Sequence, residues 1–255
     1  MHIRAKKSLG QHFLKDENIA LKIIDALDLE FKNVLEIGPG TGVLTKYLVQ
    51  KKDINLKCIE TDRLAYEHLK EQFPEEQDKF ILADFLNFDL DKLFAENFAI
   101  IGNFPYNISS QIFFKVIDNR DKVLQVVCMI QKEVAERLSA EKRTKAYGIL
   151  SVIMQTYFEI EYLFTVSEKV FDPPPRVKSA VIKLKRNDRK QMDCDESLFR
   201  KVVKTGFNYR RKTLRNSLKG IHPDVNQLPD KFLSKRAEEL GEEDFEELTR
   251  SIESL

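Results

Sequence analysis

Asn33-Val-Leu-Glu-Ile37, followed without a break by Gly38-Pro-Gly40-Thr-Gly42, decides the fold. The first five residues read as a short buried strand. Glycines directly behind a strand let the chain turn sharply and let a ligand come close to bare backbone. A helix is predicted to follow from Val43 to Lys51. Strand, glycine loop and helix in that order open a nucleotide-binding α/β sheet, in which ligands sit at the carboxyl ends of the strands.

Working outward, Leu56-Lys-Cys-Ile-Glu60 reads as the next strand and Arg63 to Glu71 as a helix; Phe80-Ile-Leu-Ala83 and Phe98-Ala-Ile-Ile101 read as further strands. Upstream, Asp16 is a good N-cap for a helix whose apolar face is Ile19, Ile23, Ile24 and Leu27. This alternation predicts a mostly parallel sheet with helices on both faces. Val123 to Met129 suggests another strand and Lys132 to Ala140 a helix, while Ile149 to Phe158 fits either a strand or a helix. Lys169-Val-Phe-Asp-Pro-Pro-Pro-Arg176 is a proline-stiffened connection into a strand at Ser179-Ala-Val-Ile-Lys-Leu184. Beyond Arg186 a polar link gives way to helical patterns carrying Phe199, Val202, Val203 and Phe207, then Phe232, Ala237, Leu240, Phe245, Leu248 and Ile252. The expected organisation is a catalytic α/β domain over 1–186 and a small all-helical domain over 187–255.

Composition bounds the chemistry. With 255 residues, 42% hydrophobic and 33% charged, the chain can bury a sizeable core. The basic N-terminal segment runs into Ser8-Leu9-Gly10-Gln11-His12, too polar for the core of a signal peptide, and no stretch approaches the roughly 20 apolar residues of a membrane span. A cytoplasmic protein without membrane contact is expected. Cys58, Cys128 and Cys194 are widely spaced, and His2, His12, His68 and His222 show no ligand spacing, so neither a structural zinc nor another metal is expected.

Net charge is only +1, but it is unevenly placed. Before Asp16 stand Arg4, Lys6, Lys7 and Lys15 with no acid; between Leu198 and Lys219 stand Arg200, Lys201, Lys204, Arg210, Arg211, Lys212, Arg215 and Lys219, again with no acid. One such run would pass for a solvated helix face. Two favour local contacts to phosphates.

The glycine loop has the spacing G-x-G-x-G, and a dinucleotide fingerprint would place its third glycine where Val43 stands, which weakens a dehydrogenase reading. Glu60 ends the next strand, where an acid accepts hydrogen bonds from both hydroxyls of a ribose. Asp84 follows the third strand and can accept from an adenine amine. Acids at the ends of successive strands beside a glycine loop point together to a nucleoside cofactor.

Ile100-Ile-Gly102-Asn103-Phe104-Pro105-Tyr106 runs out of the fourth predicted strand, so Asn103 to Tyr106 should emerge beside the cofactor's reactive end. By itself the tetrapeptide is also a plausible turn. An adenine N6 is a poor nucleophile because its lone pair is delocalised. The Asn103 side-chain oxygen and the Phe104 carbonyl can accept its two hydrogens and draw the nitrogen toward tetrahedral geometry. Pro105 stiffens the backbone, and Tyr106 offers a face for an extruded base. A methyl can then pass in line from a sulfonium to the nitrogen, with positioning supplying most of the catalysis. Phe171, ahead of three prolines, is either a second stacking partner or a core phenylalanine on a strand end.

The chain resembles the small-subunit ribosomal RNA adenine dimethyltransferases over nearly its full length. The resemblance rests on Gln11-His12-Phe13-Leu14, Glu36-Ile-Gly-Pro-Gly40, Gly102-Asn-Phe-Pro-Tyr-Asn-Ile108, Gln131-Lys-Glu133, Lys145-Ala-Tyr-Gly148, Phe171-Asp-Pro-Pro-Pro175 and Phe207-Asn-Tyr-Arg-Arg-Lys212. It implies a Rossmann-like class I methyltransferase sheet with a small C-terminal helical domain. It also implies transfer of methyl groups from S-adenosylmethionine to N6 of two adjacent adenosines in the 3′-terminal hairpin of 16S rRNA, within the small ribosomal subunit or its precursor; a monomer is expected. Cofactor contacts are implied at His12, Leu14, Gly38, Gly40, Glu60, Asp84 and Asn103, and RNA contacts are expected at Arg210, Arg211, Lys212 and Arg215. The family often has Asn at position 12 and Leu at position 104; His12 keeps a side chain that can hydrogen-bond, and position 104 is expected to act through its backbone. Erythromycin-resistance dimethyltransferases, which act on 23S rRNA, share the Asn-x-Pro-Tyr clamp but are not expected to carry the 207–218 segment. A non-enzymatic alternative is an RNA-binding ribosome-assembly factor in which methylation is secondary.

Overall fold

The computed structural model describes residues 3–28 and 30–255; His2, one of the histidines considered as a ligand, lies outside them. Contacts divide the chain into two units, one of residues up to Ala135 with Glu159–Arg186, the other of Glu136–Phe158 with Asn187–Leu255.

In the first unit, a short strand β1 (Phe13–Leu14) precedes helix α1 (Glu17–Asp25), and Asp16 caps that helix by accepting from the amides of Asn18 and Ile19. Such a cap contributes about 1 kcal/mol. Strand β2 (Asn33–Ile37) is followed by α2 (Thr45–Leu48), β3 (Asn55–Glu60), α3 (Arg63–Gln72), β4 (Phe80–Leu82), β5 (Phe98–Asn103), α4 (Ser109–Asp118) and β6 (Val123–Gln131). Helix α5 (Lys132–Leu138) leads out of the sheet; the chain returns through β7 (Phe158–Val166), β8 (Phe171–Asp172) and β9 (Ser179–Arg186). The main sheet has the order β4-β3-β2-β5-β6-β9-β7, parallel from β4 to β6, with β9 antiparallel to β6. Val34 and Leu35 are wholly buried, as are Ile100 and Ile101 of β5, which is why these strands read as continuous apolar runs. Each such side chain removed from water contributes roughly 1.5–3 kcal/mol.

The order also locates the site. From β2 the chain steps outward to β3 and β4, then returns to lay β5 on the other side of β2. A crevice opens at such a reversal, at the carboxyl ends of the two diverging strands. Here those ends lead into Gly38 and into Asn103–Tyr106.

The second unit contains α6 (Ile149–Tyr157), α7 (Glu196–Asn208), α8 (Leu214–Ser217), α9 (Asp230–Leu233) and α10 (Glu242–Glu253), and α6, α7 and α10 pack on one another. The ambiguous 149–158 stretch is therefore a helix that hands over to a strand at Phe158. The division read from sequence kept 136–158 with the sheet, whereas contacts group it with the helices. The reason is packing: α6 buries Val152, Met154 and Tyr157, the Tyr147 hydroxyl donates to the Leu240 carbonyl at 3.0 Å, and the Tyr147 ring lies 5.9 Å from that of Phe207. Helix α4 and edge strand β7 were not anticipated, and the helix expected over Val43 to Lys51 shrinks to the four residues of α2 flanked by turns. Among the described residues no helix is long and apolar enough to cross a membrane.

Candidate active site

An open cleft of about 680 Å³ lies at the predicted crevice, lined by Gly38 and Gly40 behind β2, Glu60 at the end of β3, Asp84 behind β4, and Asn103 to Tyr106 behind β5. Sequence reasoning thus located these residues together. His12 also lines the cleft.

Glycine is required at the loop for two separate reasons. Gly38 has φ +65°, and a Cβ built there would meet no atom within 4 Å, so bare backbone faces open space at the cleft. Gly40 has φ +57°, and its Cβ would come within 2.9 Å of the Phe13 ring. The Gly40 amide donates to Glu60 Oε2 at 3.0 Å, and the Asp62 amide donates to Glu60 Oε1 at 2.8 Å. Each carboxylate oxygen keeps a free lone pair for a ribose hydroxyl. Burial raises the Glu60 carboxyl above its ordinary value, while those two amides pull it back. Glu36, within β2, is structural: burial pushes its carboxyl up to about 7, and it accepts from the Thr45 hydroxyl at 2.7 Å, tying the loop's far end to the sheet.

Asp84 is exposed and held by the Leu86 amide at 2.9 Å and the Asn87 side-chain amide at 2.6 Å. Lys115, on α4, holds the same loop from below. Its ammonium donates to the carbonyls of Leu86 (2.9 Å) and Phe88, and sits 5.3 Å from the centre of the Phe85 ring, which itself lines the cleft. Burial lowers the Lys115 pKa, and the nearby Asp84 and Asp89 oppose that shift. A bare backbone turn, a buried carboxylate with two free lone pairs and an exposed second carboxylate beside an aromatic ring fit a nucleoside: hydroxyl donors meet Glu60 and an amine donor meets Asp84.

At the clamp, Asn103 Nδ2 donates to the His12 carbonyl at 2.9 Å. A carbonyl only accepts, so the amide group is oriented with Oδ1 free to accept in turn. Phe104 is buried at 1% exposure and packs 6.0 Å from Phe113, while its amide donates to the Met129 carbonyl at 3.0 Å; its own carbonyl accepts from no described residue. The Tyr106 hydroxyl is hydrogen-bonded to Ser179, and its ring lies 5.2 Å from that of His12. Burial raises the Tyr106 pKa, so the phenol stays protonated. His12 Nδ1 lies 2.8 Å from the Pro173 carbonyl, which requires that nitrogen to carry the hydrogen.

Two expected residues are not in the cleft. Leu14 and Phe171 are cross-strand partners in the β1–β8 pair, and both point into the hydrophobic core at 3% and 1% exposure. Side chains alternate along a strand, so the same pairing that buries Leu14 turns Phe13 toward the cleft. Of the two readings left open for Phe171, the structure has the core one, and Leu14 can reach a cofactor only through its backbone. Sequence reasoning missed Phe13, Phe85 and Lys115. The alternation beside Leu14 could have indicated Phe13; nothing local indicates Lys115.

In the helical unit, Arg210 is held by its own neighbours. Its guanidinium is paired with Glu238 and donates to the carbonyls of Lys145 and Thr144, each at 2.9 Å, so all its nitrogens are engaged. Arg215 is paired with Asp230 at 2.6 Å. Arg211 and Lys212 are exposed, the latter 5.1 Å above the Tyr209 ring.

A family model described as ribosomal RNA adenine dimethylase matches residues 2–255. A curated relative from Cytophaga hutchinsonii, named ribosomal RNA small subunit methyltransferase A, is 52% identical, with 98% of each chain covered. Another of that name from Parabacteroides distasonis is 55% identical over 97% of this chain and 93% of its own. Among solved structures, a dimethyladenosine transferase from Plasmodium falciparum superposes with TM-score 0.80 at 26% identity, covering 95% of this chain and 98% of that one. The 23S rRNA methyltransferase ErmE superposes with TM-score 0.68 at 24% identity over 94% and 99%, a likeness of fold.

Proposed function

The chain belongs to the ribosomal RNA adenine dimethylase family, and from that premise we propose that it methylates N6 of two adjacent adenosines in the 3′-terminal hairpin of 16S rRNA to N6,N6-dimethyladenosine. It is an S-adenosylmethionine-dependent rRNA methyltransferase. The small-subunit target is favoured by relatives near half identity that carry the small-subunit name. We take it to act as a cytoplasmic monomer on the small subunit or its precursor.

The observation that carries the reading is the orientation of Asn103. With its Nδ2 committed to the His12 carbonyl, Oδ1 is held as an acceptor, and the neighbouring Phe104 carbonyl supplies a second. Together they take the two hydrogens of an adenine amine and leave the nitrogen lone pair directed at the cofactor cleft. Tyr106, pinned through Ser179, stacks on the extruded base. S-adenosylmethionine, when bound, supplies an electrophilic methyl on its sulfonium. Gly38, Gly40, Glu60 and Asp84 are the residues proposed to hold its nucleoside, and His12 to hold the clamp beside it. Once methylated, the nitrogen is acidic and loses its proton to water. Arg211 and Lys212 are proposed as RNA contacts of a helical RNA-binding unit.

The test is transfer of labelled methyl from S-adenosylmethionine to unmodified small subunits, with mapping of the labelled bases. Label at the paired adenosines in the wild type and a loss of at least about a thousandfold in Asn103→Ala, with RNA binding retained, is expected. Label on large-subunit RNA, or undiminished transfer by Asn103→Ala, would refute the assignment.

A further inference from the structure

A second open cleft, of about 1190 Å³, adjoins the first and shares Gly10, Gln11, His12 and Tyr106 with it. The His12–Tyr106 ring pair is thus a common wall. The second cleft is also lined by Pro173, Pro174 and Pro175 and by Lys7, Asn107, Gln131 and Arg176.

Charge separates the two clefts. The first is lined by Glu60 and Asp84 and by no lysine or arginine; the second is lined by Lys7 and Arg176 and by no acid. Both cations are exposed, and neither forms an ion pair with a described residue. Unpaired cations around a wall of proline, tyrosine and histidine are the combination that binds single-stranded nucleic acid, where rings take the bases and cations the phosphates.

Resting on the proposed rRNA methylation, we propose that this second cleft holds the single-stranded RNA flanking the target adenosine, with Lys7 and Arg176 gripping its phosphodiesters. The base to be methylated reaches the cofactor cleft past the His12–Tyr106 wall, while the backbone stays outside on the two cations. The grip belongs to the unit that performs the chemistry, so it sets the register of the strand relative to Asn103. A peptide has no comparable claim, because nothing in the lining accepts the positive charge of a basic tail, and an acidic one would lack the bases that the rings can stack.

The experiment compares wild type, Lys7→Ala, Arg176→Ala, the double variant and the charge-keeping Lys7→Arg/Arg176→Lys pair on unmodified small subunits across a potassium chloride series. In the double variant, KM for the subunit should rise about tenfold, with the slope of log affinity against log salt shallower by about 1.4, from two phosphates at about 0.7 each for a single strand. Cofactor affinity should stay within twofold in every variant, which also reports folding, and the charge-keeping pair should retain the wild-type slope. An unchanged KM and slope in the double variant, or a raised KM with an unchanged slope, would overturn the proposal while leaving the methylation reading intact. Absence of methyl transfer by the wild type would instead bring down that reading, and this inference with it.

Discussion

Two stretches of this chain look alike as sequence and differ in space. Residues 4–15 and residues 200–219 are both rich in lysine and arginine and free of acids. In the second stretch three of the four arginines are consumed within the helical unit: Arg200 pairs with Glu196 at 2.7 Å, Arg210 with Glu238, and Arg215 with Asp230. In the first, Lys6 reaches 56 residues along the chain to Asp62 at 2.7 Å, while Lys7 lines a cleft. A run without acids in sequence is not a run without acids in space. What matters is which carboxylates the fold brings to each cation.

The comparison can be broken most directly at Arg210. If it is a latch, Arg210→Ala should cost about 2 kcal/mol of stability in chemical denaturation, since a charged donor group serving several acceptors is lost, and cofactor affinity should be unaffected. An Arg210→Ala enzyme of unchanged stability but weakened RNA binding would return that residue to the RNA-contact set.

A smaller effect is expected at Lys6. Asp62 has a fully buried side chain and receives Lys6 Nζ, the Gln11 amide at 3.3 Å and the Leu64 amide at 3.0 Å. Burial works to raise its carboxyl, but these donors outweigh it and hold the carboxyl below its ordinary value. Lys6→Ala should loosen the segment that carries Gln11 and His12 over the cofactor cleft and weaken S-adenosylmethionine binding about tenfold by calorimetry. The sign with pH follows. A depressed carboxyl stabilises the fold above its ordinary pKa and loses that contribution as pH falls through the lowered value. In Lys6→Ala thermal melts, the acid loss should therefore begin at a higher pH than in the wild type. Identical acid limbs would show that the ion pair is idle.

The smallest effect sharpens the same point outside both runs. Lys115 stands alone in an amphipathic helix, yet it supports the loop bearing Asp84 and Phe85. Lys115→Met should weaken cofactor binding about threefold, with kcat little changed and recovery in Lys115→Arg. A fall in kcat with cofactor affinity intact would place Lys115 with the clamp instead.

Much of the fold was legible because its signals are local. Buried parallel strands read as apolar runs, Asp16 announced its helix, and a glycine loop followed by acids at strand ends placed Gly38, Glu60, Asp84 and Asn103 in one crevice by topology alone. What the sequence left undecided depended on partners distant along the chain. Residues 136–158 belong with the helices because Tyr147 and α6 find their packing there. Phe171 and Leu14 turned inward because they pair across two short strands too brief to show an alternating pattern.

The sequence by itself determined the alternation of buried strands and helices, the glycine loop, the Asn103–Tyr106 stretch at the end of a strand and, through whole-chain resemblance, the family. These follow from spacing, chirality and side-chain chemistry within a few residues. Only the tertiary structure decided the orientation of the Asn103 amide, the fate of each cation and which ring faces the cleft. Those depend on distances between residues tens of positions apart, such as Asn103 and His12 or Lys6 and Asp62, and a hydrogen bond or ion pair exists only where the folded chain brings its two groups within about 3 Å.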